Sequence, residues 1–173
     1  HGEHTDSWYI GGWATHFISE VTEKLVIGDW AIDRSVNHLR TYDQPFSINR
    51  GALAERWFTP DPTTIIVHIR KGVRWHNKAP MNGREFTADD VVFNFHRYTG
   101  TGSGFTEGTT FGSAITAYDY ESITAPDKYT VVIKFNTPTF YALENLYFDS
   151  PESGHMYPPE VIKEHGNAQD WRT

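Results

Sequence analysis

Residues 64–70 read Thr-Ile-Ile-Val-His-Ile-Arg; Lys-Gly-Val-Arg-Trp-His follows at 71–76, and Phe-Thr-Ala-Asp-Asp-Val-Val-Phe-Asn-Phe at 86–95. The first piece alternates. Ile65, Val67 and Ile69 fall on one face; Thr64, His68 and Arg70 fall on the other, with Ile66 breaking the pattern. That is the period of a half-buried strand. The last piece changes period. Thr87 is placed to cap a helix, and Asp90, three residues on, can reach back to the cap amide, a capping box with aspartate in place of glutamate. Asp89 and Asp90 also meet the positive end of the helix dipole. Ala88, Val91, Val92 and Phe95 form one apolar stripe, and Arg97 suits the helix end. A strand is thus followed by a helix with one face to lay on it.

Working outward, Trp13, Phe17, Ile18, Val21 and Leu25 recur at helical spacing and predict an amphipathic helix over Gly12–Val26, stopped by Gly28-Asp29. Residues 33–49 lack periodicity and read mostly as loop. Ala52–Phe58 is a short strand candidate, and Pro60-Asp61-Pro62 a turn. Thr99–Ser113, rich in glycine, threonine and serine, reads as a long loop. Tyr118–Thr124 and Tyr129–Phe135 flank Ala125-Pro126-Asp127-Lys128 and predict a β-hairpin with a proline-initiated turn. Thr139–Tyr147 is a short helix candidate. Pro158-Pro159-Glu160 opens another helix, which Gly166 closes. This order of elements predicts an α+β fold, an antiparallel sheet with helices packed on it.

The 173 residues make one domain, or a piece of something larger. Net charge is −7, from 15 basic and 22 acidic side chains. No nucleic-acid partner is expected, because neutralising phosphate needs a basic stripe. The chain has no cysteine, which rules out disulfides, zinc thiolates and thiol catalysis. No apolar run reaches membrane-spanning length, and no signal peptide pattern is read. Aromatic residues make up 15% of the chain, enough to fill a core or line a recognition surface.

Candidate chemistry thins out on inspection. Gly100-Thr101-Gly102-Ser103-Gly104 lacks the Gly-Lys-Ser/Thr ending of a phosphate loop and follows a helix instead of a strand. The histidines, among them His16, His38, His68, His76 and His96, are scattered and lack His-Glu-x-x-His spacing, so no metal site or cofactor is expected. Ser103 has no nucleophile-elbow context. Asp89 and Asp90 are accounted for by capping. No catalytic residue is nominated, and no enzyme activity is expected. Trp75 reads as a plug between sheet edge and helix. The ligand-binding candidates are Tyr9, Trp13 and Phe105, which are aromatic and lie outside the clear core stripes; Trp13 equally continues the stripe of the first predicted helix.

These pieces resemble a known signature. Leu53, Ala54, Glu55 and Trp57, then Ile69, Arg70, Lys71, Gly72, Val73, Trp75 and His76, then Thr87, Ala88, Asp89, Asp90 and Val91 follow in order the pattern of the family 5 extracellular solute-binding proteins of peptide- and nickel-type ABC importers. Thr22-Glu23-Lys24-Leu25 and the hairpin residues Ala125, Asp127 and Thr130–Phe135 extend the likeness, which runs from about Thr5 to Thr173. The resemblance implies a periplasmic-binding-protein-like (type II) fold of two lobes that close over a ligand by a hinge motion. Residues 1–173 would be a single domain from the N-terminal lobe or subdomain of a longer protein. It also implies capture of a peptide-like or other small solute, an ABC permease in the membrane as partner, and a monomer. The expected location is periplasmic or extracellular, with a membrane anchor on the full-length protein in some members. A non-catalytic interaction module is the alternative reading, and a surface hydrolase a weaker one. One departure is local: Asn77–Glu85 lengthens the turn after His76, with Asn82-Gly83 as a tight turn.

Overall fold

The computed structural model describes residues 21–36, 49–108, 119–139 and 154–166. In chain order these hold β1 (Val26–Gly28), β2 (Asn49–Gly51), β3 (Ala54–Asp61), β4 (Thr64–Ile69), α1 (Ala88–Thr99), β5 (Tyr120–Asp127), β6 (Thr130–Phe135) and α2 (Pro159–His165). β1 and β2 pair as a small antiparallel ribbon, and the other four strands form one antiparallel sheet in the order β3-β4-β6-β5. The α+β expectation holds.

The register explains the core. Ile65 lies opposite Ile133, which lies opposite Ile123; Val67 lies between Val131 and Trp57. Because side chains alternate along a strand, this aligns one apolar row across the sheet. Ile65, Val67, Ile69, Ile123, Val131, Ile133 and Phe135 are all buried. α1 closes the row with Ala88, Val91, Phe95 and Tyr98. Each large apolar side chain buried here contributes roughly 1.5–3 kcal/mol. The capping box forms as read: the Thr87 amide donates to the Asp90 carboxylate at 2.9 Å, and Thr87 has extended backbone. Thr87→Ala is therefore expected to destabilise the fold by about 1 kcal/mol, measured by denaturant melts; an unchanged midpoint would remove the capping role. At the other end Gly100 adopts the left-handed conformation at φ +71 and its amide donates to the His96 carbonyl. A Cβ there would meet the Gly108 nitrogen at 2.3 Å, so the glycine run is first a helix stop. α2 likewise begins at Pro159 and ends at a left-handed Gly166.

Both turn predictions need correction, for one shared reason. The chain reverses at Pro62-Thr63 and Lys128-Tyr129, later than Pro60 and Ala125-Pro126 suggested. Asp61 still pairs with Thr64, and Asp127 with Thr130, each just after a register shift. Each aspartate then closes its own turn: Asp61 accepts the Thr63 amide at 2.8 Å and Asp127 the Tyr129 amide at 2.9 Å. Hydrogen bonding holds both aspartates below their ordinary range, the Thr63 hydroxyl first and its amide second at Asp61, and the Tyr129 amide first at Asp127. Pro60 and Pro126 are tolerated inside strands because β3 and β5 are the sheet edges, where a missing donor faces no neighbour.

The first predicted helix also ends differently. Residues 12–20 lie outside the described residues, but 21–26 are not helical. Leu25 instead offers its carbonyl to the Ala52 and Ala54 amides, both at 2.9 Å, and Lys24 to the Leu53 amide at 3.0 Å. Tertiary backbone pairing outbids the local helical spacing, and β-branched Val26 and Ile27 go into β1. The helix candidate Thr139–Tyr147 lies outside the described residues beyond Thr139.

Candidate functional site

The candidate site grows from the excursion between β4 and α1. The Trp75 amide donates to the Arg84 carbonyl at 3.0 Å, and the Phe86 amide to the Val73 carbonyl at 2.9 Å. Asn82 and Gly83 both have positive φ, +50 and +69, and so make the tight turn expected of them. Trp75 is half-buried, its ring edge-on to Phe86 at 5.4 Å, its indole N–H donating to Asp90 Oδ2 at 3.2 Å. It thus fastens the excursion to the helix.

Arg84 does the same with charge. Its Nη1 and Nη2 donate to Asp90 Oδ2 and Oδ1 at 2.9 and 2.7 Å, while its Nη2 and Nε reach the Glu160 carboxylate. Glu160 first, then Asp90, hold the Arg84 guanidinium above its ordinary range, and Arg84 in turn lowers Glu160. One guanidinium joins the excursion, the start of α1 and the start of α2.

A third segment, 154–158, is sewn to both sides. Buried Asn94 donates through Nδ2 to the Asp90 and Tyr157 carbonyls, each at 2.8 Å, and accepts the Tyr157 amide at 2.9 Å. Tyr98 donates to the His155 carbonyl at 3.0 Å. On the other side the Met156 amide donates to the Glu23 carbonyl at 2.9 Å, and the His155 ring meets the Thr22 hydroxyl at 2.7 Å. At this seam lies a cavity of about 430 Å³. Leu53, Trp75, Phe86 and Met156 supply apolar wall, and Glu23, Arg74 and His76 supply polar rim. Apolar walls with a few charged groups of both signs suit a small molecule with polar ends.

Phe105 lies elsewhere. Its ring packs edge-on to Phe93 at 5.2 Å, beside the small buried cluster of Phe93, Tyr157 and Ile162, and it is not among the residues lining the cavity. Tyr9 and Trp13 lie outside the described residues. Trp75 was singled out in the sequence as structure and now carries both a structural bond and cavity wall. Glu23, Arg74 and Met156 were missed, and no local signal marks them: they meet only because segments 133 residues apart are paired. Among the described residues no group of three His, Cys, Asp or Glu side chains is placed to hold a metal ion.

Beside the cavity, Glu85 clamps the excursion to the sheet. Its carboxylate accepts from Lys128 Nζ at 2.6 Å, the Tyr129 hydroxyl at 2.8 Å and the Gly72 amide at 3.1 Å. These bonds, Lys128 foremost, lower it from 4.5 to about 2. A carboxylate depressed in the folded state stabilises above its unfolded value, and that contribution is lost as pH falls. Glu85→Gln should therefore melt below the parent at neutral pH, and the gap should shrink as pH falls from 4.5 toward 2. A gap independent of pH would contradict the charge pairing.

The sequence profile of bacterial extracellular solute-binding proteins, family 5 Middle, matches residues 50–172. The di/tripeptide-binding protein 1 of Pseudomonas aeruginosa is 29% identical over 150 residues, 82% of this chain and 28% of that protein. The dipeptide-binding protein of Escherichia coli is 53% identical over 47 residues, 26% of this chain and 9% of that protein. The Helicobacter pylori periplasmic binding protein DppA, solved with the peptide STSA, superposes with a TM-score of 0.69 at 21% identity, over 94% of this chain and 30% of its own. The chain therefore spans less than a third of each of these proteins, and the fold it shares with DppA is part of a periplasmic binding protein lobe. Members of this family are binding proteins found in the periplasm or outside the cell. None of the described helices is long and apolar enough to cross a membrane. With the profile matched across most of its length, the chain belongs to the family 5 bacterial extracellular solute-binding proteins.

Proposed function

We propose that this chain supplies part of the first lobe of the substrate-binding component of an ABC importer, and that the solute is a peptide or a similarly small polar molecule. The family match over residues 50–172 carries the reading. The dipeptide- and di/tripeptide-binding relatives point to the solute class. In this reading residues 1–173 form one domain of a longer, monomeric protein that works outside the cytoplasmic membrane, with or without an anchor. It hands its cargo to a membrane permease and performs no catalysis; nucleic acid is no partner. Tyr9, Trp13 and Phe105 are retained as proposed ligand contacts.

A two-lobed binder encloses most of its ligand, and well-formed pockets cover roughly 70–90% of a small molecule's surface. One lobe offers an open half-site, where the ligand keeps much of its water yet still loses translational freedom. The 173-residue chain should bind di- and oligopeptides at millimolar affinity or weaker, on the order of −4 kcal/mol. A protein carrying both lobes should bind far more tightly, and Phe105→Ala should weaken that binding. Calorimetry on both proteins is the test. Micromolar binding by the 173-residue chain would place the whole site within it and end the half-site reading. Failure of the two-lobed protein to bind any peptide would end the peptide reading.

A further inference from the structure

The glycine-rich run after α1 does more than stop the helix. The chain turns back through Gly102, Ser103 and Gly104, all at positive φ, with the Phe105 amide donating to the Gly102 carbonyl at 2.9 Å. Ser103 is the notable member, because at φ +49 it holds a left-handed conformation that serine seldom adopts. The turn brings its hydroxyl to 2.8 Å from His96 Nδ1, and the fit is close: a Cβ on Gly102 would lie 2.8 Å from that same nitrogen. His96 Nε2 lies 3.1 Å from the carbonyl oxygen of Ile123, at the centre of β5. A carbonyl can only accept, so Nε2 carries the proton and donates. In the neutral ring Nδ1 is then bare, and the Ser103 hydroxyl donates to it. Burial holds His96 below its ordinary range, which favours that neutral ring. Ser103 itself is exposed. A hydroxyl, a base within hydrogen-bond reach and a third group fixing the base's tautomer are the parts of an activated nucleophile.

We propose that Ser103 and His96 form a reactive serine–histidine pair that accepts an acyl or phosphonyl group from a small activated ester in a single turnover. Ser103 Oγ forms the new bond to the acyl carbon or phosphorus while its proton passes to His96 Nδ1. The bond to the leaving group breaks, and that group departs with the electron pair and takes the proton from Nδ1. The modified serine is the product. Neither residue lines the cavity, and labelling is read with no peptide present, so the pair succeeds or fails whatever the solute.

The bland alternative is that the Ser103 hydroxyl merely fastens the turn. The two are separated by treating the folded 173-residue chain with a fluorophosphonate and, separately, with p-nitrophenyl acetate, then locating adducts by peptide mass spectrometry. Labelling is expected at Ser103 and not at exposed Ser35. His96→Gln should slow it by about a hundredfold, the usual scale of general-base assistance. Ser103→Gly, which keeps the left-handed turn and lacks the hydroxyl, should abolish it while the thermal melt stays near the parent's. Ser103 labelled no faster than Ser35 would overturn the proposal. So would a parental labelling rate in folded His96→Gln. Should that variant not fold, the comparison of Ser103 with Ser35 decides.

Discussion

Replacing Asp90 with alanine is expected to destabilise the protein by about 3–5 kcal/mol, the largest single effect in the described residues. The carboxylate is 4% exposed and accepts from four donors: two nitrogens of Arg84, the Trp75 indole and the Thr87 amide. Alanine leaves the indole and the amide short of a partner, removes the capping box, and strips one of the two carboxylates from Arg84. The Arg84 side chain is 34% exposed, so water recovers part of the loss and the lower end of the range is the better expectation. For a chain of this length each kcal/mol moves the melting temperature by roughly 2–4 °C. A double-mutant cycle with Arg84→Met isolates the ion pair. If the pair is coupled, the double variant should lose less than the two single losses added together. Strict additivity, or a loss under about 1 kcal/mol for Asp90→Ala, would show that the network is a surface ornament.

Asn94→Leu should come close behind, at roughly 3 kcal/mol. Asn94 is fully buried, and its side-chain amide bonds both the Tyr157 amide and the Tyr157 carbonyl across the seam. Leucine is of similar size and apolar, so packing is nearly kept while Tyr157 loses its two backbone bonds to Asn94 of α1. Each buried polar group left unpaired costs about 1–3 kcal/mol. Asn94→Asp is the informative companion: it can still accept from Tyr157 N–H but can no longer donate to the two carbonyls. It should be as harmful as leucine or worse, since it buries a charge against carbonyl oxygens. A melt within 1 °C of the parent for either variant would mean that the seam is held by other contacts. The same variants test the cavity, because residues 156 and 158 line it only while this segment is held in place.

How much of this was legible beforehand differs by element. The period of Thr64–Ile69, the capping box at Thr87-Asp90 and the proline and glycine bounding α2 were readable because each depends on neighbours within a few residues. A strand's inward face and a helix cap are local facts, and the fold class followed from their order. The family resemblance was legible for the same reason: its signature is a string of such local devices. The two hairpin turns were misplaced by about two residues, since a proline in a sheet is judged by whether its strand is an edge, and edges exist only once β3-β4-β6-β5 has assembled. The helical reading failed at Val21–Val26 because Lys24 and Leu25 found backbone partners in residues 52–54, a bond that no window on the sequence contains. The cavity belongs wholly to this second kind. Glu23, Arg74, Trp75 and Met156 border one space because the Asn94, Tyr98 and Glu23 bonds draw 154–158 between α1 and 22–25. The sequence by itself determined the four strands of the larger sheet, the caps and the family. Only the tertiary structure decided where the chain turns and which distant side chains share a wall, because those depend on pairing energies between segments far apart along the chain.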